Sequence, residues 1–158
     1  MLDDTQTMVM ELAGLGYSCA QIVVIGGLRL MGRENPDLTR AMSALADGAS
    51  CGAICGALTG GLCLMALHTG KGLDDERPVP GARTMAGALV KWFKKEELGG
   101  KIAPNCADIF EAAGLEYEGG QMNPKVGCGD LVAHTWAKAV EILQANNIDP
   151  AQGRPEYE

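Results

Sequence analysis

The feature that most restricts how this sequence can fold is a long stretch without any charged side chain, residues 49–70. It is rich in glycine and alanine, and Gly52, Gly56 and Gly60 recur at four-residue spacing. That spacing places small residues on one face of a helix, where a neighbouring helix can approach closely. An uncharged helix is typical of the middle of a helical core, so we expect a buried central helix over residues 50–69. The alternative is a membrane-spanning helix, which the polar His68 and the low Leu/Ile content disfavour.

Apolar residues recur at helical spacing along the rest of the chain. Together with the central segment they predict helices at 5–13, 18–30, 37–46, 50–69, 82–98, 105–113 and 127–144. Residues 22–25, followed by two glycines, also resemble a strand entering a phosphate-binding loop, but no complete glycine-rich motif follows. We therefore expect an all-α fold, a single compact bundle of about six to seven helices around the Gly/Ala-rich central helix. Residues 1–148 form this helical Cys-rich domain, and residues 149–158 form a polar tail, extended or disordered.

The charge balance excludes several classes of partner. The 158 residues carry a formal net charge of -7, and the chain lacks the basic patch that supplies most nucleic-acid affinity. We expect no nucleic-acid partner and no membrane span. The acidic N-terminus lacks the basic and apolar regions of a signal peptide, which favours a cytoplasmic, reducing location. The glycine-lined central helix is compatible with a homo-oligomer.

Four of the six cysteines occur in one repeated context: a helix-capping residue, Cys, a small residue, any residue, an aliphatic residue. The stretches are 18–22, 50–54, 105–109 and 127–131, which read SCAQI, SCGAI, NCADI and GCGDL. Ser, Asn and Gly are preferred N-cap residues, so each cysteine is expected to be the first residue of a helix. The context predicts four sulfurs at four helix N-termini, carried by Cys19, Cys51, Cys106 and Cys128.

A helix N-terminus favours a thiolate, because free backbone N–H groups and the helix dipole stabilise negative charge there. The aliphatic residue three positions on shares a face with each cysteine, so we expect all four sulfurs to lean into one interior site. Asp108 and Asp130 oppose thiolate formation, and a bound cation would offset them. Cys55 and Cys63 lack the context and are expected to be core residues inside the central helix, with Cys55 kept as a candidate because it lies one turn from Cys51.

Three functions remain open from these residues. The first is electron transfer or redox sensing, with Cys19, Cys51, Cys106 and Cys128 as ligands of an iron–sulfur cluster. The second is a thiol–disulfide protein that uses the same cysteines without metal. The third is a structural Cys₄ zinc site or an inert partner-binding module. No CxxC motif and no set of catalytic side chains is present, so enzymatic activity and the redox partner protein are left open.

The segment Cys51 to Gly56 reads CGAICG, and this element, in order with the other three cysteine contexts, resembles the C-GCAxxG-C-C family of redox-active proteins. The resemblance spans most of the chain. It implies that Cys19 is the early family cysteine, Cys51 the motif cysteine, and Cys106 and Cys128 the two later ones. Similar domains occur in split-Soret cytochromes, although no haem motif is present here. The extra cysteines, Cys55 and Cys63, depart from the four-cysteine pattern.

Overall fold

The described residues, 3–120 and 122–156, fold into seven helices joined by turns in this computed structural model. The helices are α1 (Asp4–Gly14), α2 (Cys19–Leu30), α3 (Pro36–Met42), α4 (Gly56–Thr69), α5 (Ala82–Trp92), α6 (Cys106–Ala112) and α7 (Cys128–Ala145). A short 3-10 turn, Ser43–Leu45, follows α3, and a wider helical turn, Phe93–Glu97, extends α5. The predicted all-α class is confirmed. The strand alternative for residues 22–25 is wrong, because they lie inside α2.

Helices α2, α4 and α7 pack on one another at the centre of the molecule. Helix α1 covers α2 and α7, α5 covers α4 and α7, and α3 lies against α2. The buried side chains between them are mainly aliphatic, as in Ile22, Val23, Leu58, Leu64 and Leu143. The hydrophobic effect acting on these side chains is the main force that holds the helices together.

Glycines let α2 and α4 approach each other closely. A Cβ added to Gly60 would lie 2.9 Å from the Ala20 carbonyl oxygen and 3.0 Å from Val23 Cβ. A Cβ added to Gly27 would collide with the Leu64 side chain. The small residues therefore face α2 and the core, as predicted for a buried central helix. None of the helices in the described part of the chain is both long and apolar enough to cross a membrane.

The central helix begins later than predicted, at Gly56 rather than near residue 50. The preceding residues Asp47, Gly48, Ala49 and Ser50 all have φ between 55° and 63°, in the left-handed region. An α-helix of L-residues requires negative φ, so the right-handed helix cannot extend back through this segment. We call these four residues the left-handed turn.

The described part of the tail, residues 149–156, packs against the C-terminal end of α4 and is not a free arm. The ring nitrogens of buried His68 lie 3.0 Å from the carbonyl oxygens of Leu64 and Pro150. The Arg154 guanidinium donates to the Gly70 carbonyl at 2.9 Å. Residues 157 and 158 lie outside the described part, and the domain boundary at residue 148 stays a prediction.

Candidate functional site

Three of the four predicted cysteines begin helices. Cys19 is the first residue of α2, Cys106 of α6 and Cys128 of α7, so these three placements are confirmed. At α2 the cap also forms as predicted, because the Ser18 N–H and hydroxyl both donate to Gln21 Oε1 at 3.1 Å. The Asn105 side chain makes no cap bond, and Gly127 has no side chain that could make one.

Cys51 does not begin a helix, and that prediction is wrong. The residue follows the left-handed turn, has φ −143° and ψ 17°, and is exposed. Its thiol lies 3.4 Å from the Gly48 carbonyl oxygen. The repeated cysteine context is present here, but the positive φ values before it prevent a right-handed helix from starting.

Cys55 was expected inside the central helix, and that prediction is wrong. It is the N-cap residue of α4. It is buried, with 7% of its surface exposed. Cys63 does lie within α4, where it packs with α2 and α3 in a separate apolar cluster. Both cysteines expected to be core residues do pack in apolar surroundings, Cys55 in the main core and Cys63, partly buried, against the second cluster, but Cys55 caps α4 and does not lie inside it.

Four cysteines line one small cavity of about 20 Å³, which has room for a water-sized occupant. They are Cys19, Cys55, Cys106 and Cys128, and we call this space the cysteine cavity. Cys51 does not line it. The remaining walls are mostly apolar, and Asp47 is the one carboxylate among the described residues that line the cavity. The apolar walls come from Gly56, Ala57, Phe110, Met122, Leu131 and Val132.

Backbone pairing brings Cys55 next to Cys106. The Cys55 N–H donates to the Pro104 carbonyl at 2.9 Å, and the Cys106 N–H donates to the Ala53 carbonyl at 2.7 Å. These two bonds flank the antiparallel bridge between Ile54 and Asn105. The start of α4 and the start of α6 are thereby fixed side by side, although they lie about fifty residues apart in sequence.

Glycine at position 56 leaves space for the Cys19 sulfur. A Cβ added to Gly56 would collide with Cys19 Sγ, and it would lie 3.2 Å from Ala46 Cα. The Cys19 thiol of α2 therefore sits directly against the first turn of α4. The absence of a side chain at Gly56 is what allows α2 to deliver its sulfur into the cavity.

The thiols of the cysteine cavity are held in their neutral form. Burial raises the pKa of Cys55 to about 12, and burial together with the nearby charges of Cys128, Cys19 and Asp47 raises the pKa of Cys106 to about 12. Burial also raises the pKa of Cys19 and of Cys128, each of which has Asp47 nearby. Several thiolates cannot coexist here without a compensating positive charge.

Backbone N–H groups act in the opposite direction. Hydrogen bonds from the backbone of Asp47 and Ala20 lower the pKa of Cys19, and those from Ala57 and Leu58 lower the pKa of Cys55. These bonds only partly offset the effect of burial. They nevertheless place donors at the sulfurs, as is typical of sites that hold thiolates around a metal.

Asp47 is a site residue that the sequence reasoning missed. Asp47 lines the cysteine cavity. Its carboxylate accepts from the Gly120 N–H at 2.9 Å, and its carbonyl accepts from the Tyr117 hydroxyl at 2.7 Å. These contacts attach the left-handed turn to the segment after α6. Asp-Gly pairs are typical of turns, and Asp47-Gly48 was the available signal.

A wider opening of about 210 Å³ lies outside the cysteine cavity. Cys19, Asp47 and Met122 line both spaces, and Tyr17, Ser18 and Gly120 line the opening alone. We call this opening the vestibule. It gives small reagents a route from solvent towards Cys19 and Asp47.

Cys55 also had a signal in the sequence. The stretch from Cys55 to Gly60 reads CGALTG, so it matches the CGAxxG element as well as the stretch from Cys51 to Gly56 does. The two matches overlap, and only the second puts its cysteine into the cavity. In the part of the chain that the structure describes, no three Cys, His, Asp or Glu side chains are already arranged around one metal position.

Comparison with known proteins gives one match. The sequence profile of the family described as "Putative redox-active protein (C_GCAxxG_C_C)" matches residues 17–142, a range that contains all six cysteines. Searches of curated proteins and of solved structures gave no match. The predicted resemblance is confirmed, and the chain belongs to the C_GCAxxG_C_C family of redox-active proteins.

Proposed function

We propose that this protein transfers electrons or senses redox state through an iron–sulfur cluster bound by Cys19, Cys55, Cys106 and Cys128. The observation that carries the proposal is the convergence of these four cysteines on one largely apolar cavity. Cys55 replaces Cys51 in the ligand set expected from the sequence, because Cys55 lines the cavity and Cys51 is exposed. A bound cluster would supply one-electron chemistry.

The donor set fits such a group chemically. Four thiols from four different segments match the all-cysteine ligation of common iron–sulfur clusters, and apolar walls protect a cluster from water. The raised pKa values of Cys55 and Cys106 imply that binding of iron releases protons from thiols. Backbone donors near Cys19 and Cys55 would stabilise the ligating thiolates.

A matched pair of serine variants tests the ligand set. After anaerobic reconstitution with iron and sulfide, iron and acid-labile sulfide per chain and visible absorbance are measured for the wild type, Cys55→Ser and Cys51→Ser. We expect Cys55→Ser to lose most of the bound iron and Cys51→Ser to resemble the wild type. Cys63→Ser is a second control, since Cys63 is remote from the cavity.

Two results would contradict this assignment. If Cys51→Ser loses the cluster and Cys55→Ser keeps it, the cavity is not the ligand site. If the wild type binds iron without acid-labile sulfide, or binds neither, the cluster proposal fails. Zinc found by elemental analysis would instead indicate a structural Cys₄ site.

One observation favours a second candidate, a reversible thiol–disulfide function. The four thiols line one small cavity, so pairs of them lie near one another, as disulfide formation requires. In this case two of the four thiols would give up two electrons and two protons to an external oxidant. Thiol counts that fall on mild oxidation and recover on reduction, with metal-free protein throughout, would select this function.

A further inference from the structure

A large groove lies outside the cysteine cavity, between α1, α2 and the start of α3. Its volume is about 450 Å³, within the roughly 300–1,000 Å³ that is usual for small-molecule sites. Leu12 of α1 and Ile25 and Leu28 of α2 give it an apolar wall. Nothing in the proposed redox function uses this groove.

Two large apolar side chains remain exposed where the groove opens. Leu15 is 67% exposed and Tyr17 is 37% exposed, and both line the groove. Exposed apolar residues scattered singly over a surface need no explanation, but their position beside a concave site indicates a binding surface. An apolar or aromatic ligand body would cover both.

The groove also concentrates positive charge in an acidic protein. The chain has a net charge of -7, yet half of its arginines, Arg29, Arg33 and Arg40, line this one space. Arginine guanidinium groups suit carboxylate, sulfonate and phosphate oxygens because their donors bind two oxygens at once.

The arginines differ in how far they are already paired. Arg29 lies 3.2 Å from Glu11, and Arg40 lies 2.8 Å from Asp37. Both pairs are exposed, and exposed pairs are worth only about 0–1 kcal/mol, so an incoming anion can compete for these arginines. Arg33 makes no ion pair with any carboxylate in the described residues. Among the described residues that line the groove, Glu34 carries the one carboxylate, and it opposes anion binding.

We propose that this groove binds an amphipathic organic anion, with its apolar or aromatic body against Ile25, Leu15 and Tyr17 and its acidic group at Arg33. Arg29 and Arg40 line the same groove and add positive charge. Tyr17 also lines the vestibule, so the occupant lies beside the route to Cys19. The binding site does not depend on which cofactor the cysteines hold.

Two dyes of nearly the same shape test the proposal on the full chain. Anilinonaphthalene sulfonate carries a sulfonate, and phenylnaphthylamine has the same aromatic body without charge. We expect the wild type to bind the sulfonate more tightly, by fluorescence titration, and Arg33→Gln to weaken sulfonate binding by about tenfold. Glu34→Gln removes a negative charge from the groove and should therefore tighten sulfonate binding. Neither change should alter binding of the uncharged dye.

Two further variants locate the site. Arg83→Gln makes the same change of net charge at an exposed position of α5 that does not line the groove. It should leave the binding of both dyes unchanged. Leu15→Gln should weaken the binding of both dyes, because Leu15 is proposed to contact the aromatic body that they share. Equal effects of Arg33→Gln and Arg83→Gln, equal affinity of the wild type for the two dyes, or no effect of Leu15→Gln would each overturn the proposal. Circular dichroism checks that every variant is folded.

Discussion

At the scale of single residues, burial decides the protonation of the cysteine cavity. An exposed cysteine has a pKa of about 8.5, and burial raises the pKa values of Cys55 and Cys106 to about 12. The stabilising effect of a helix N-terminus on a thiolate, expected from the sequence, acts on Cys19 but is weaker than desolvation. The cysteines are therefore neutral thiols at physiological pH until a cation or an oxidant changes their state.

This protonation predicts a loss of stability at high pH. Below about pH 7.5 these thiols are protonated in both folded and unfolded chains and give no pH dependence. As the pH rises from about 8 to about 12 the unfolded chain loses its protons first, so the free energy of unfolding of the reduced, metal-free protein should fall. Urea unfolding at stepped pH measures the fall, and thiolate ultraviolet absorbance reports ionisation directly.

The Cys55→Ser variant is the control for that titration. The variant should lose one of the thiol ionisation steps that occur well above pH 9, and the remaining ionisation steps should be unchanged. The interpretation is contradicted if the variant instead removes a step between pH 8 and 9, because Cys55 would then titrate as an exposed thiol.

At the scale of elements, the left-handed turn decides which cysteine enters the cavity. It ends just before Cys51, and its Asp47 is attached to the segment around Tyr117 and Gly120. The chain then runs to the bridge between Ile54 and Asn105, which sets Cys55 beside Cys106. Local helix signals at Cys51 were the same as at Cys19, but contacts with residues about seventy positions away in sequence override them.

Strain in this turn is measurable through Ala49, which is exposed and has φ 55°. Left-handed backbone costs an L-residue about 1–2 kcal/mol, and glycine avoids this cost but has a more disordered unfolded state. We expect Ala49→Gly to raise the free energy of unfolding by up to about 1 kcal/mol, measured by chemical denaturation.

The same substitution in a regular helix is the control. Ala88→Gly on the exposed face of α5 should lower the free energy of unfolding by about 1 kcal/mol. Opposite signs for the two variants support the left-handed backbone at Ala49. Equal destabilisation by both would show that the backbone at residue 49 is right-handed in solution and would contradict the left-handed turn.

At the scale of the whole molecule, the apolar periodicity of the sequence was sufficient to predict the helices but not the complete set of site residues. Most helix bounds were predicted within one or two residues, because apolar spacing and capping residues are local properties. Cys19, Cys106 and Cys128 were found by the same local signals. Local patterns mark Asp47-Gly48 as a turn and give Cys55 a second CGAxxG match, but they do not show that these residues join the site, which depends on backbone pairing and turn geometry between distant segments.

The two ends of α4 contact different parts of the molecule. Its N-terminal end carries Cys55 and the cysteine cavity, and its C-terminal end is covered by residues 149–156 through His68, Gly70 and Arg154. Fourteen residues of helix, at 1.5 Å each, place these ends about 20 Å apart. Stability contributed by the tail is therefore expected to be independent of cofactor binding at the cavity.

Deletion of residues 149–158 tests this separation. It removes the Pro150 carbonyl from buried His68 and the Arg154 bond to Gly70, so the free energy of unfolding should fall by roughly 1–3 kcal/mol. Iron and sulfide per chain after reconstitution should stay at the wild-type value. Arg154→Gln is the milder variant, should a truncated chain fold poorly. Loss of bound iron in a folded Arg154→Gln protein would show that the tail acts on the cysteine cavity through α4, and the two ends would then form one cooperative site.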